Sequence, residues 1–233
     1  MATEVKQQQV TGQTPDKSSE DRVVESARHF WDRNSKFITY VVTALVLGVG
    51  GYFVYKNYFV APEEQKAEEL IWRAQSYYKI DSFAKALNGD GQSQGFLRVI
   101  SRHGGTKAGN LAKFYAGSCY LELGDFNNAV KYLKDFSTDQ PALKVRANGL
   151  LGDAYSELGK KQEAVDYYTK AGSAWQEDEV NSAEYLFRAA LLNQELGKNK
   201  EAIALLKQIK DKYPMAPRAR EADVYLGKLG DLN

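Results

Sequence analysis

Residues 120–133 read YLELGDFNNAVKYL, and the same frame returns as YSELGKKQEAVDYY at 155–168 and NQELGKNKEAIALL at 193–206. Each copy turns on a Leu-Gly pair, with Gly124, Gly159 and Gly197 spaced by 35 and 38 residues. An alanine follows each glycine by five residues (Ala129, Ala164, Ala202), and a small residue precedes it by seven (Gly117, Gly152, Ala190). Self-similarity at this period describes a chain of stacked two-helix units. The glycine ends the first helix of each unit, because a residue without Cβ adopts the left-handed conformation at little cost. The small residues are expected where the two helices cross, so that their backbones can come close. Tyr120 and Tyr155 are expected to fill the space between units. Pro141 and Pro214, each 17 residues past its glycine, are expected to stop the second helix.

The pattern resembles the tetratricopeptide (TPR) repeat, a unit of about 34 residues with the signature W-x2-L-G-x2-Y … A-x3-F … P. The resemblance covers residues 110–214 as three units, 110–143, 144–181 and 182–214. It departs from the signature where Lys113, Asn148 and Leu186 replace the tryptophan and Asn193 replaces the third tyrosine. Residues 62–109 read as a divergent first unit. Pro62-Glu63-Glu64 opens a helix, with proline in the first turn and acids near the positive end of its dipole. The helix runs through EELIWRAQSYYKI, SFAKALNGDGQSQG interrupts it, and FLRVISRHGGTKAGN supplies the second helix. The end of the chain, APRAREADVYLGKLG, reads as a capping helix over 217–230, which a solenoid needs because each unit buries its apolar face only against neighbours. The expected fold class is therefore all-α: a TPR-type α-solenoid over 61–233, preceded by one transmembrane helix.

That helix is legible in FITYVVTALVLGVGGYFVY, the 19 uncharged residues Phe37–Tyr55. As a helix they span roughly 29 Å, close to the hydrocarbon thickness of a bilayer. Phe30, Trp31, Phe37 and Tyr40 flank one side, and Tyr52, Tyr55, Tyr58 and Phe59 the other, as interfacial aromatic belts do. The charged lead of 36 residues and the lack of a small-residue cleavage site favour an uncleaved signal anchor, so 1–36 reads as a polar cytoplasmic tail and 37–60 as the anchor. Arg22, Arg28, Arg33 and Lys36 precede the span, whereas Lys56 alone follows it closely. This asymmetry keeps the N-terminus in the cytoplasm and sends 61–233 across the membrane. Within the span Ala44, Gly48 and Gly51 fall at i, i+4 and i+7, a small-residue stripe that permits close helix packing in lipid. Glycine is also simply common in membrane helices.

Charge excludes one function class. The net charge of the chain is +1, and residues 61–233 carry 24 basic and 24 acidic side chains. Such a balance offers no cluster to neutralise phosphates, so no nucleic-acid partner is expected. Catalytic chemistry finds little support either. His29 and His103 lack partners at ligand spacing, so no metal is expected. Cys119 sits among apolar helix positions and reads as a small core residue. NGDGQSQG lacks the lysine and flanking strand of a phosphate loop. No cofactor and no catalytic residue are assigned. A lone cysteine permits no internal disulfide and fits either a cytosolic or an extracytoplasmic domain.

Partner binding remains. In the TPR frame the inward positions of the first helices include Phe114, Ser118, Leu121, Arg146, Gly149, Asp153, Glu184, Phe187 and Leu191. Phe114, Gly149 and Phe187 stand where carboxylate-binding TPR domains place their first lysine, so that mode is not expected. Mixed aromatic and charged character suits a partner segment or an unfolded client polypeptide, unless the aromatics pack within the superhelix.

A charged tail, one span and about four TPR-like units resemble the YfgM family, ancillary subunits of the SecYEG translocon. YYKIDSFAKALNG and GGTKAGNLAKFYAGSCYLELGDF resemble its Bacteroidetes-type members. The resemblance implies a bacterial inner-membrane protein with a periplasmic TPR domain, in contact with membrane lipid. It also implies the translocon and a PpiD-like membrane-anchored periplasmic chaperone as partners. The alternative is a TPR adaptor of another envelope assembly or secretion complex.

Overall fold

The computed structural model describes residues 19–231, so residues 1–18, half of the polar tail, lie outside the described residues. Two units divide at the Tyr58–Phe59 bond. The first is dominated by α1 (Ser19–Tyr55), a helix of 37 residues that runs into a π-helical turn at Lys56–Val60. It contains one helix long and apolar enough to cross a membrane, and no described residue buries its apolar window.

The second unit is a succession of helices: α2 (Ala61–Tyr78), α3 (Phe83–Asn88), α4 (Phe96–His103), α5 (Lys107–Glu122), α6 (Phe126–Asp135), α7 (Pro141–Glu157), α8 (Lys161–Ser173), α9 (Glu179–Glu195), α10 (Asn199–Lys212) and α11 (Pro217–Lys228). Three hairpins, α5/α6, α7/α8 and α9/α10, carry the repeats. Three apolar clusters follow one another along the unit. Ile71, Phe96 and Ala112 centre the first, Leu133, Leu151 and Tyr168 the second, and Leu186, Leu206 and Leu226 the third. A core distributed in this way is what stacked hairpins produce, since each buries its apolar face against the next.

The Leu-Gly signal closes each first helix as expected. Gly124, Gly159 and Gly197 have φ of 79°, 70° and 73°. In all three the amide two positions beyond the last helical turn bonds backward: Asp125 N to Tyr120 O, Lys160 N to Tyr155 O, and Lys198 N to Asn193 O. With the glycine amides donating to Leu121, Ser156 and Gln194, these are Schellman caps. The small residues also sit at crossings. A Cβ on Gly117 would come 2.5 Å from Leu133 Cγ, and one on Gly152 would come 2.4 Å from Tyr168 Cδ1. Ala129, Ala164 and Ala202 are wholly buried.

Several local expectations need correction. Pro141 is the first residue of α7 and not the stop of α6, which ends at Asp135. Pro214 does follow the end of α10. The tyrosines stack first inside their own hairpins, Tyr120 on Tyr132 at 5.4 Å and Tyr155 on Tyr167 at 5.3 Å, although Tyr155 also meets Lys134 of the preceding hairpin. The helices also begin three residues ahead of the frame 110, 144 and 182, at Lys107, Pro141 and Glu179. Caps decide those starts: Thr106 accepts from Gly109 N and Asp178 from Asn181 N, and Pro141 fits the first turn.

The divergent region folds on its own logic. SFAKALNGDGQSQG is not wholly an interruption, because α3 forms within it. Pro62, Glu63 and Glu64 do open α2, and the two acids also reach other helices. Glu64 accepts from the amides of Lys107 and Ala108 at 3.0 and 2.9 Å, which places a carboxylate at the positive end of α5. Glu63 meets His103 Nδ1 at 2.9 Å. Lys113, in the place of the signature tryptophan, pairs with Asp135 at 2.8 Å.

Candidate partner-binding groove

The first helices of the repeats lie side by side. α5 touches α7, α9 touches α11, and Tyr185 of α9 fills the space above Gly149 of α7. Their shared face is the surface that the sequence frame designates, and its residues divide into three groups.

Phe114, Ser118 and Phe187 are interior. Phe114 is 1% exposed and meets Phe136 at 5.4 Å, while Arg146 lies over its ring at 5.6 Å. Phe187 is 2% exposed, packs edge-on against Tyr225, and carries Arg218 over its face at 4.9 Å. The Ser118 hydroxyl is 2.8 Å from the hydroxyl of Tyr78 on α2. These three side chains hold helices together, and the two arginines cover the rings.

Asp153 and Glu184 are half-buried and engaged. Asp153 Oδ1 accepts from the Tyr168 hydroxyl at 2.6 Å and from Arg188 at 2.9 Å. Arg188 also donates to Glu184 Oε1 at 2.7 Å, and Glu184 Oε2 accepts from Arg218 at 2.5 Å. Arg218 in turn meets Glu221 at 2.6 Å. Acid and base thus alternate from α7 through α9 to α11. Burial pushes the Glu184 carboxyl up, but the hydrogen bonds and charges of Arg218 and Arg188 outweigh it and hold it below its ordinary range. Burial and Asp153 together push the Tyr168 hydroxyl up.

Leu121, Arg146 and Leu191 remain on or near the surface. Leu121 and Asp153 share a cavity of about 460 Å³ with Glu122, Phe126, Glu157 and Tyr168. Arg146 is exposed, and its guanidinium lies over the Phe114 ring. The residues that the sequence frame missed are Tyr168, Tyr185, Arg188 and Arg218. Arg188 had a signal, lying four residues after Glu184 on one helix face. Arg218 had none, because its partner is 34 residues away.

Other candidates are quiet. Burial pushes the Cys119 thiol up to about 12, which makes it a poor nucleophile. Among the described residues no three His, Cys, Asp or Glu are grouped to hold a metal ion. Ala44, Gly48 and Gly51 are exposed along α1, and no atom of another residue lies within 4 Å of a Cβ placed on either glycine.

Comparison with known proteins places this geometry. A tetratricopeptide repeat-like domain profile matches residues 28–144, and two tetratricopeptide repeat profiles match 145–171 and 184–214. No curated protein matches the sequence. Among solved structures, the crystal structure of MamA aligns with a TM-score of 0.52 at 19% identity, over 68% of this chain and 85% of MamA. That likeness speaks to the fold. With just over half its length matched by one profile, and its first helices closed by three glycine caps, the chain belongs to the tetratricopeptide repeat-like domain family.

Proposed function

We propose that this protein is a membrane-anchored TPR scaffold of the bacterial inner membrane, with its repeats on the periplasmic side, accessory to the Sec translocon and to a PpiD-like periplasmic chaperone in protein export. The observation that carries the reading is the joining of a bilayer-length apolar helix to a TPR unit within one matched span, 28–144. An anchor continuous with a repeat domain keeps the repeats near a membrane machine. The excess of Arg and Lys before the span supports a cytoplasmic N-terminus, and resemblance to the YfgM family supports the translocon and chaperone as partners. The role is one of holding and not of catalysis. The first-helix face around Leu121, Arg146 and Leu191 offers the accessible contacts for a partner or client polypeptide, and the stripe Ala44, Gly48 and Gly51 offers one for a membrane helix.

A second reading, an adaptor of another envelope assembly or secretion complex, uses the same anchor and repeats. Purification in mild detergent, with identification of co-purifying membrane proteins, tests the choice. Translocon subunits together with a membrane-anchored chaperone are the expected result. A different envelope complex in their place would favour the second reading.

A further inference from the structure

α1 is longer than a bilayer requires. Its 37 residues extend about 55 Å, against roughly 30 Å of hydrocarbon. The uncharged residues Phe37–Tyr55 make up one half, and residues 22–36 continue the helix outside it. That outer half carries Val23, Val24, Phe30 and Trp31, all more than half exposed.

Helical register gathers them. At about 100° per residue, Val23, Val24, Ala27, Phe30, Trp31 and Phe37 fall within one arc of about 140°. Arg22 and Arg33 border the arc on one side and Arg28 on the other, while Glu25, Asp32 and Lys36 take the opposite face. Asn34 is the polar residue inside the arc, and its amide is satisfied within the helix, donating to Phe30 O at 2.9 Å. One turn on, Thr39 Oγ1 donates to Ser35 O at 2.8 Å. Side chains that bond back to carbonyls in this way favour a bend, and these two sit where the amphipathic half meets the uncharged half.

We infer that residues 22–34 form an arm that lies on the leaflet surface, apolar arc inward among the headgroups, and that it recognises anionic lipid. The inference rests on the reading of Phe37–Tyr55 as a membrane span. Continuity argues for lipid as the occupant, since the arm is tethered within two residues of the hydrocarbon boundary. Charge argues for anionic lipid. Residues 22–36 hold four Arg and Lys against two acids, and arginines bordering an apolar arc can lay their stems on it while their heads meet phosphate.

The full-length protein tests this with Cys119→Ala and one nitroxide-labelled cysteine at a time: Val23→Cys, Glu25→Cys, Ala27→Cys, Asp32→Cys or Leu45→Cys. In vesicles of phosphatidylcholine with phosphatidylglycerol, labels at 23 and 27 should be accessible to oxygen and shielded from a water-soluble nickel chelate. Labels at 25 and 32 should show the reverse. Removing phosphatidylglycerol should raise chelate access at 23 and 27 several-fold, and unchanged access would overturn the preference for anionic lipid. Uniform chelate access at the four outer sites, with Leu45 shielded, would overturn the arm and leave the anchor standing. Chelate access at Leu45 as well would overturn both.

Discussion

The ring of Tyr168 occupies the space that any side chain at Gly152 would need. A Cβ there would come 2.4 Å from Cδ1, and the ring is not free to swing away. Its hydroxyl is bonded to Asp153 and its face stacks on Tyr185 at 6.1 Å. Gly152→Leu should therefore overpack the α7/α8 crossing and cost roughly 1–3 kcal/mol. Urea unfolding of the purified protein checks this, and an unchanged midpoint would mean that the crossing yields freely.

The glycine that ends α7 supports a second expectation. Gly159 is at φ 70° with nothing within 4 Å of its Cβ position, so conformation and not space constrains it. Gly159→Ala should cost about 1–2 kcal/mol, the penalty of an L residue in left-handed backbone. Asn in the same place should cost less, because its short polar side chain tolerates that region. The order Gly, Asn, Ala in unfolding midpoint is the measurement that decides it.

These two glycines show what was legible in the sequence. A repeated Leu-Gly and a small residue seven positions earlier encode local events, a cap and a crossing, and a short window reads them. The ladder of Asp153, Arg188, Glu184 and Arg218 joins residues up to 35 apart, and its geometry depends on how one hairpin stacks on the next. Whether Phe114 and Phe187 are buried stayed open in the sequence for the same reason. The repeat frame assigns them to the inner face, but whether neighbours cover that face is a tertiary matter. Glu64 does lie in the first turn of its own helix, but its bonds to the start of α5 span 43 and 44 residues and are beyond any short window.

The ladder carries a pH dependence of definite sign. Glu184 is held below its ordinary range in the folded protein, so the unfolded chain binds the proton first as pH falls. Stability from such a group is present above the unfolded pKa and is lost as pH drops through the folded one. Asp90 behaves alike, held down to about 2 by the Tyr77 hydroxyl and the amides of Ser93 and Gln92. The urea midpoint should thus begin to fall near pH 4, the ordinary carboxylate range. Glu184→Gln should lower the midpoint at neutral pH and flatten that acid limb. A limb as steep as that of the unaltered protein would mean the arginines do not act on Glu184.

Phe114 and Phe187 are packed in the core, whereas Arg146 is exposed. Phe114→Ala and Phe187→Ala each leave a cavity under an arginine and should cost about 3–5 kcal/mol, lowering the melting temperature whatever happens to binding. Arg146→Glu removes a ring contact made by an exposed side chain and should leave the melt within a few degrees. It reverses the charge on the accessible face, so under the proposed function crosslinking of the repeats to a partner or client polypeptide should fall. Equal crosslinking with an intact melt would move the contact surface away from α7.

The bilayer segment and the repeats should also contribute separately. Among the described residues, a Cβ at position 48 has nothing within 4 Å beyond its own helix backbone and chain neighbours, so Gly48→Leu should leave the repeats folded. In lipid, association between helices depends on close backbone approach over small residues, and a leucine in the middle of the stripe holds a partner helix away. Under the proposed function, Gly48→Leu should therefore reduce co-purification with a membrane partner while crosslinks to the repeats persist. The comparison that decides the matter is the chain lacking residues 1–60. If it recovers the same partners in equal yield, the span serves only to tether, and the scaffold works through the repeats alone.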